Sequence, residues 1–272
     1  MRSTILAVMT AALVSAAPAV SHGRAPLPGE VTIEIVSDHG QQYHRFSFLD
    51  FWKNGTHVIK NYLEAKKGEN YGIVVRNNTS ERVGVVIAVD GRNIITGKRS
   101  DCKSSEMMYI VNPYDTARYD GWRTTDSEVH RFYFTEPGDS YSVRTFADAS
   151  AMGVIAAAVF REREKPRPLL ERGAAKEAPA AAPPASAGDA ARPEAKARAD
   201  ESAGTGFGDS RYSPVVRVEF EPELIAIQKN LIKYEWRETL CRKGIVRCGG
   251  EQKNRLWEDD EYAPYPPGYP RS

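Results

Sequence analysis

The chain has 272 residues, 41% of them hydrophobic, and its 37 basic side chains against 36 acidic ones leave a formal net charge of +1. So balanced a chain has no overall field to gather nucleic acid or an anionic membrane surface, and nucleic-acid binding is set aside. The length suits one good hydrophobic core and at most a second small one.

Residues 1–21 have the pattern of a secretory signal peptide: Arg2, an apolar run from Ile5 to Val14, then small residues through Ala19 and Ser21. The run is shorter than the roughly 20 apolar residues of a spanning helix, so export without a membrane anchor is expected. Cleavage fits after Ser21 or after Ala19. A periplasmic or secreted location would place the three cysteines, Cys102, Cys241 and Cys248, in an oxidising compartment.

Residues 22–161 are expected to form an antiparallel β-sandwich. Val31, Ile33 and Ile35 alternate with Thr32, Glu34 and Val36, the period of a half-buried strand. Further short strand candidates are Tyr43 to Phe48, Val58 to Leu63, Tyr71 to Arg76, Arg82 to Val89 and Arg92 to Thr96. After them come Met107 to Val111, Thr116 to Tyr119, Val129 to Phe134, Ser140 to Thr145 and Met152 to Phe160. Many short strands separated by Gly, Pro, Asn or Asp point to a sandwich or barrel. Between two of them, Asp90-Gly91 predicts a type I′ hairpin turn. The strands from Val83 to Val89 and from Met152 to Phe160 are apolar on both faces, so each needs a second layer over it.

Residues 162–210 are expected to be a disordered linker. Pro166 and Pro168 follow a charged run, and roughly half of residues 174–203 are alanine, interrupted by Pro179, Pro183, Pro184 and Pro193. A flexible chain of some 40 residues spans about 35 Å r.m.s.. Residues 211–250 then form a C-terminal β-containing element, too short for a core of its own and expected to dock on the sandwich. Strands are expected at Val215 to Phe220 and Leu231 to Leu240, with a helix competing over Glu223 to Lys243. Residues 251–272 make an acidic tail rich in Tyr and Pro.

Several blocks resemble a family of uncharacterised exported proteins of Gram-negative bacteria. They are Tyr62-Leu63-Glu64-Ala65, Val89-Asp90-Gly91-x-Asn93, Pro113-Tyr114, Asp120-Gly121-Trp122-Arg123, Arg131-Phe132-Tyr133-Phe134, Ser140-Tyr141 and Gly153 to Glu162. Tyr234 to Leu240 is similar to the short element such proteins carry after a variable linker. The resemblance implies a bacterial envelope setting and carries over no activity, cofactor or catalytic residue.

Catalytic and metal chemistry find weak support in the residues. His39 and His44 are five apart, which suits neither a strand face nor a helical i, i+4 pair, and neither they nor His57 complete a metal set. The aspartates at 90, 101, 115, 120, 126, 139 and 148 follow no calcium-loop spacing. His130 with Asp126 and Ser127 is the one compact triad candidate, without a nucleophile elbow. No metal or cofactor is therefore expected. A non-catalytic interaction module, meeting a protein or a glycan, is the expectation; the alternative is a hydrolase whose site is dispersed in sequence.

The binding candidates are Tyr109, Tyr114, Arg118, Tyr119, Trp122, Arg123, Arg131 and Tyr133, rings beside planar donors. The same pattern also suits aromatics that fill a core or stiffen cross-strand pairs. Of the cysteines, Cys241 and Cys248 bracket a short loop turning at Gly244 and are the expected disulfide, worth about 2.5 kcal/mol on the chain-entropy model. The rival pairing joins Cys102 to Cys241.

Overall fold

The computed structural model describes residues 30–163 and 202–248. The candidate signal peptide at residues 1–21, most of the expected linker and the tail at residues 251–272 lie outside the described residues. The strands are β1 (Val31–Ser37), β2 (Arg45–Lys53), β3 (Thr56–Glu64), β4 (Asn70–Asn77), β5 (Val83–Val89), β6 (Arg92–Asn93), β7 (Tyr109–Val111), β8 (Thr116–Tyr119), β9 (Gly121–Arg123) and β10 (Glu128–Thr135). Helix α1 (Tyr141–Phe146) and β11 (Val154–Arg161) follow. After the linker come β12 (Gly204–Thr205), β13 (Ser210–Tyr212), β14 (Gln228–Glu235) and helix α2 (Arg237–Arg242).

Two sheets face each other as a sandwich. The first runs β1-β4-β10-β12, with β8 on β4 and with β9 and β13 on β10; the second runs β2-β3-β14-β11-β5-β6, with β7 on β5. All strand pairs are antiparallel except β14 with β3, which is parallel. The alternation in β1 sends Val31, Ile33 and Ile35 inward. There they meet Ile73 and Val75 from β4 and Val85, Ile87, Ile155 and Ile232 from the opposing sheet. Tyr71, Phe132 and Phe134 stack beside them, with ring centroids of Tyr71 and Phe134 4.3 Å apart.

The segment after the linker does not lie over the sandwich as a patch; it completes both sheets. β14 fills the space between β3 and β11, pairing with β3 from Gln228 to Glu235 and with β11 from Gln228 to Lys233. Its inward residues Gln228, Asn230, Ile232 and Tyr234 are buried. Gln228 bridges the layers: its Nε2 donates to the Val31 carbonyl at 2.6 Å, and the Val31 amide donates to its Oε1 at 3.4 Å. The linker also ends earlier than the sequence suggests. Ala203, Gly204 and Thr205 are fully enclosed, because Gly204 has only Ser140, Met152 and the Glu136 carbonyl around it and no room for a side chain.

Other sequence expectations change locally. Ser140 to Thr145 is not a strand but helix α1, because the Ser140 hydroxyl accepts from the Val143 amide as an N-cap while Ala147 closes the end in the left-handed region, φ 52°. Val215 to Phe220 is extended but joins no sheet. The strand expected over Leu231 to Leu240 starts earlier, at Gln228, and yields to α2 after Trp236. The outer faces of β5 and β11 do have their second layer: Val86, Ala158 and Phe160 pack with Ala226, Cys102 and Met108. Keeping the larger of these, Val86 and Phe160, from water contributes about 1.5–3 kcal/mol each.

The Asp90-Gly91 turn has both residues at positive φ, 48° and 76°, as a type I′ turn requires. Asp90 is also the hub of a buried polar network. Its Oδ1 accepts from the Gly153 amide at 2.8 Å and the Tyr234 hydroxyl at 2.5 Å, and its Oδ2 from the Thr205 amide at 2.8 Å. Thr205 Oγ1 in turn shares hydrogen bonds with the hydroxyls of Tyr234 and Tyr71. Cys241 in the last turn of α2 and Cys248 beyond it sit at disulfide distance, Cα atoms 5.4 Å apart, while Cys102 is unpaired and lies behind β5.

Two outcomes follow from this architecture. With a specific protease site engineered between residues 170 and 195, the cut chain should elute as one species on a sizing column and separate only in denaturant, since β14 is held on both edges. Separation under native conditions would contradict the insertion of β14. The second concerns pH. Burial raises the Asp90 carboxyl from 3.8 to about 6, against the opposing pull of its hydrogen bonds and of Lys233. A folded state that holds the proton more tightly than the unfolded chain gains stability in acid and loses it as pH climbs from about 4 to 6, by about 3 kcal/mol. Urea melts of wild type and Asp90→Asn at pH 4 and pH 7 should show this contribution in the wild type and its absence in the variant.

Candidate binding groove

The aromatic and arginine cluster does not form one surface. Trp122 is a core residue, 2% exposed, with its indole N–H on the Gly206 carbonyl at 3.0 Å and its ring against Phe132 and Tyr141. Arg118 pairs with Asp120 at 2.5 Å, and Arg131 pairs with Asp38. Tyr133 covers Gly206, where a Cβ would run into its ring. Tyr114 stands alone on a turn at φ 56°, 74% exposed.

Tyr109, Tyr119 and Arg123 do converge. Tyr109 at the start of β7 and Tyr119 at the end of β8 stack with centroids 4.1 Å apart, joining the edges of the two sheets. Arg123 donates from Nε to the Tyr109 hydroxyl at 2.8 Å and from Nη1 to the carbonyls of Thr125 and Ser213 at 3.0 and 2.9 Å. Burial raises both phenols above their usual range, so they stay neutral hydroxyls.

These residues line an open groove with a cavity volume of about 1130 Å³. Its inner wall is β7, with Met108 and Ile110 beside Tyr109; its outer wall is the extended segment from Pro214 to Pro222. This strap is fastened at both ends. The Ser213 and Val215 amides donate to the carbonyls of Ser127 and Asp126, and further on Glu221 and Glu223 bond with the main chain of Arg163 and Arg161. Between these ties Val216 is 85% exposed and Val218 54% exposed. Phe220 turns inward onto β5 because Gly84 leaves the space; a methyl group there would collide with Met108 Sδ and lie 2.7 Å from the Phe220 ring.

The groove's charged side chains are already occupied. Arg82 makes two bonds to Glu162, Asp126 pairs with Arg217 at 3.4 Å, and Glu106 accepts from the amides of Asp101 and Lys103. Between these pairs the walls offer apolar surface, main chain and the neutral polar side chains of Ser104 and Asn112. Sequence reasoning missed Met107, Val216, Val218 and Phe220. The alternation in Val215 to Phe220 was visible, but a strand without a partner strand looks the same in sequence as one within a sheet.

The triad candidate is not assembled. His130 Nδ1 contacts the Gly208 carbonyl at 2.8 Å with its ring stacked on Phe207, Asp126 faces Arg217, and Ser127 Oγ meets Thr125. His57 lies 2.6 Å from Asp50 and stacks on Trp52; His44 packs edge-on against Phe46. Among the described residues no group of three or more His, Cys, Asp or Glu is placed to hold a metal ion, and no helix is long and apolar enough to cross a membrane.

Set beside known proteins, the chain matches no family model, no curated protein and no solved structure.

The packing around Gly84 yields a direct expectation. Gly84→Ala should lower stability by about 1–3 kcal/mol, the range for overpacking a filled site. It should also release Phe220, so that protease cleavage within residues 214–222 becomes faster than in wild type; an unchanged melt and unchanged cleavage would contradict the packing described.

Proposed function

We propose that this protein is an exported, non-catalytic interaction module of the bacterial cell envelope, working in the periplasm or outside the cell. Its binding surface is the groove between β7, β8 and the strap. The observation that carries this reading is the groove's composition: a stacked Tyr109–Tyr119 pair and apolar walls, with the neighbouring charged groups bound to one another. A concave site that sets aromatic and apolar surface beside polar groups suits recognition of a protein or a glycan. A catalytic site instead needs titratable groups aimed into the cavity. The signal-peptide pattern at the N-terminus and the resemblance to exported proteins of Gram-negative bacteria support the setting, and a disulfide between Cys241 and Cys248 is in keeping with an oxidising compartment.

Affinity capture from periplasm and culture medium tests the reading, with wild type, Val216→Asp, Met107→Asp and Tyr114→Ala as baits. Both aspartate variants change exposed groove residues, while Tyr114 lies outside the groove. A partner held by wild type and Tyr114→Ala but lost from the two aspartate variants is the expected result. Equal capture by all four baits overturns the assignment of the groove.

A further inference from the structure

The strap has extended geometry without the partner that extended chains ordinarily have. Among the described residues, no main-chain N–H or C=O group from Val216 to Phe220 is paired with another main-chain group. On the opposite wall, β7 pairs with β5 along one side only and β8 with β4 along one side only. Strand edges of both sheets and a strand-like strap therefore border the same space, with room of about 1130 Å³ between them. Unpaired edges of this kind are templates for an added strand.

Resting on the groove reading above, we infer that the groove takes an extended, uncharged peptide segment of a partner protein, added as a strand along Val216 to Phe220. Main-chain hydrogen bonds to the strap supply the alignment. Side chains at alternate positions of the peptide fall toward Met107, Met108 and the Tyr109 ring.

Charge decides against the other candidates. A sulfated or phosphorylated glycan, or an acidic or basic peptide, would bring a charge into a site where Arg82, Arg123, Asp126 and Glu106 are each bound within the chain. A charged ligand would have to displace the partly buried Arg82–Glu162 pair or the bonds of Arg123 to main-chain carbonyls, or meet only the exposed Arg217–Asp126 pair, where an ionic contact is worth little. A neutral saccharide would leave the strap's N–H and C=O row unmatched in register, whereas a peptide has the same repeat as the strap. Exposed Val216 and Val218 add apolar contact for alternate side chains of the incoming strand.

The test is a phage-displayed random library of peptides about twelve residues long panned on the full-length protein, run beside an array of neutral and acidic saccharides. The expected outcome is enrichment of uncharged sequences with apolar residues at every second position. Binding of the selected synthetic peptides should weaken more than about tenfold in Val216→Asp and Val218→Asp, whose thermal melts should match wild type because both positions are exposed. N-methylation at two main-chain nitrogens on the strap-facing side should weaken binding by about tenfold, and methylation at the intervening nitrogens much less. No enrichment, enrichment of charged sequences, or indifference to N-methylation overturns the inference. Saccharide binding that is lost in the same aspartate variants also overturns it, while leaving the groove as the binding surface; loss of neither ligand in those variants removes both readings.

Discussion

A single buried carboxylate, Asp90, is bonded by both halves of this chain. Asp90 sits at the tip of the β5–β6 hairpin, enclosed by the sandwich, and its three donors come from Gly153, Thr205 and Tyr234. Two of the three belong to the segment that follows the linker. A buried carboxylate must be hydrogen-bonded or protonated, so the hairpin is tolerable in this position only when the returning segment is in place. The type I′ turn fixes where Asp90 points, and Thr205 and Tyr234 carry the network on to Tyr71 in the opposite sheet. Polar bonds thus tie together the same strands that apolar packing would hold less selectively.

The sandwich itself was legible because its signals are local. Period-2 alternation in β1 and the Asp-Gly turn each need only a few residues to be read, and the all-apolar β5 and β11 announced that they were covered on both sides. The cover comes from both sides of the linker, Cys102 and Met108 before it and Phe220 and Ala226 after it, rather than from a strand lying across the face. What could not be read was long-range. Nothing in Gln228 to Glu235 says that it lies parallel to β3 and antiparallel to β11, because strand order depends on partners far away in sequence. Ala203 to Thr205 escaped notice since Gly, Ala and Thr beside an Ala-rich tract look like more linker. Only the space left by Met152 and Ser140 shows why small residues are needed there.

The candidate site divides along the same line. Sequence picked out eight aromatic and arginine residues, and the fold distributes them: Trp122 to the core, Arg118 and Arg131 to carboxylate partners, Tyr133 over Gly206, Tyr114 to a turn, and only Tyr109, Tyr119 and Arg123 to the groove. Even there Arg123 is a brace between β9 and the strap rather than an open donor. The groove's character comes instead from a strap whose neighbours are chosen by topology. It exists because the chain, having completed β13 beside β10, must cross the open end of the sandwich to reach the slot between β3 and β11.

That slot has a bearing on how the molecule comes into being. The bond between Val31 and Gln228 closes a loop of 197 residues, so the first strand waits for nearly the last before its layer is joined to the other. Closing contacts so distant in sequence is slow, and it cannot begin until Gln228 has been made. A product ending anywhere before Gln228 leaves β3 and β11 as two bare edges in the middle of a sheet. Copies that stop short of β14 therefore carry their own mark, open to degradation or to pairing with the wrong chain, and only a polypeptide that includes β14 erases it.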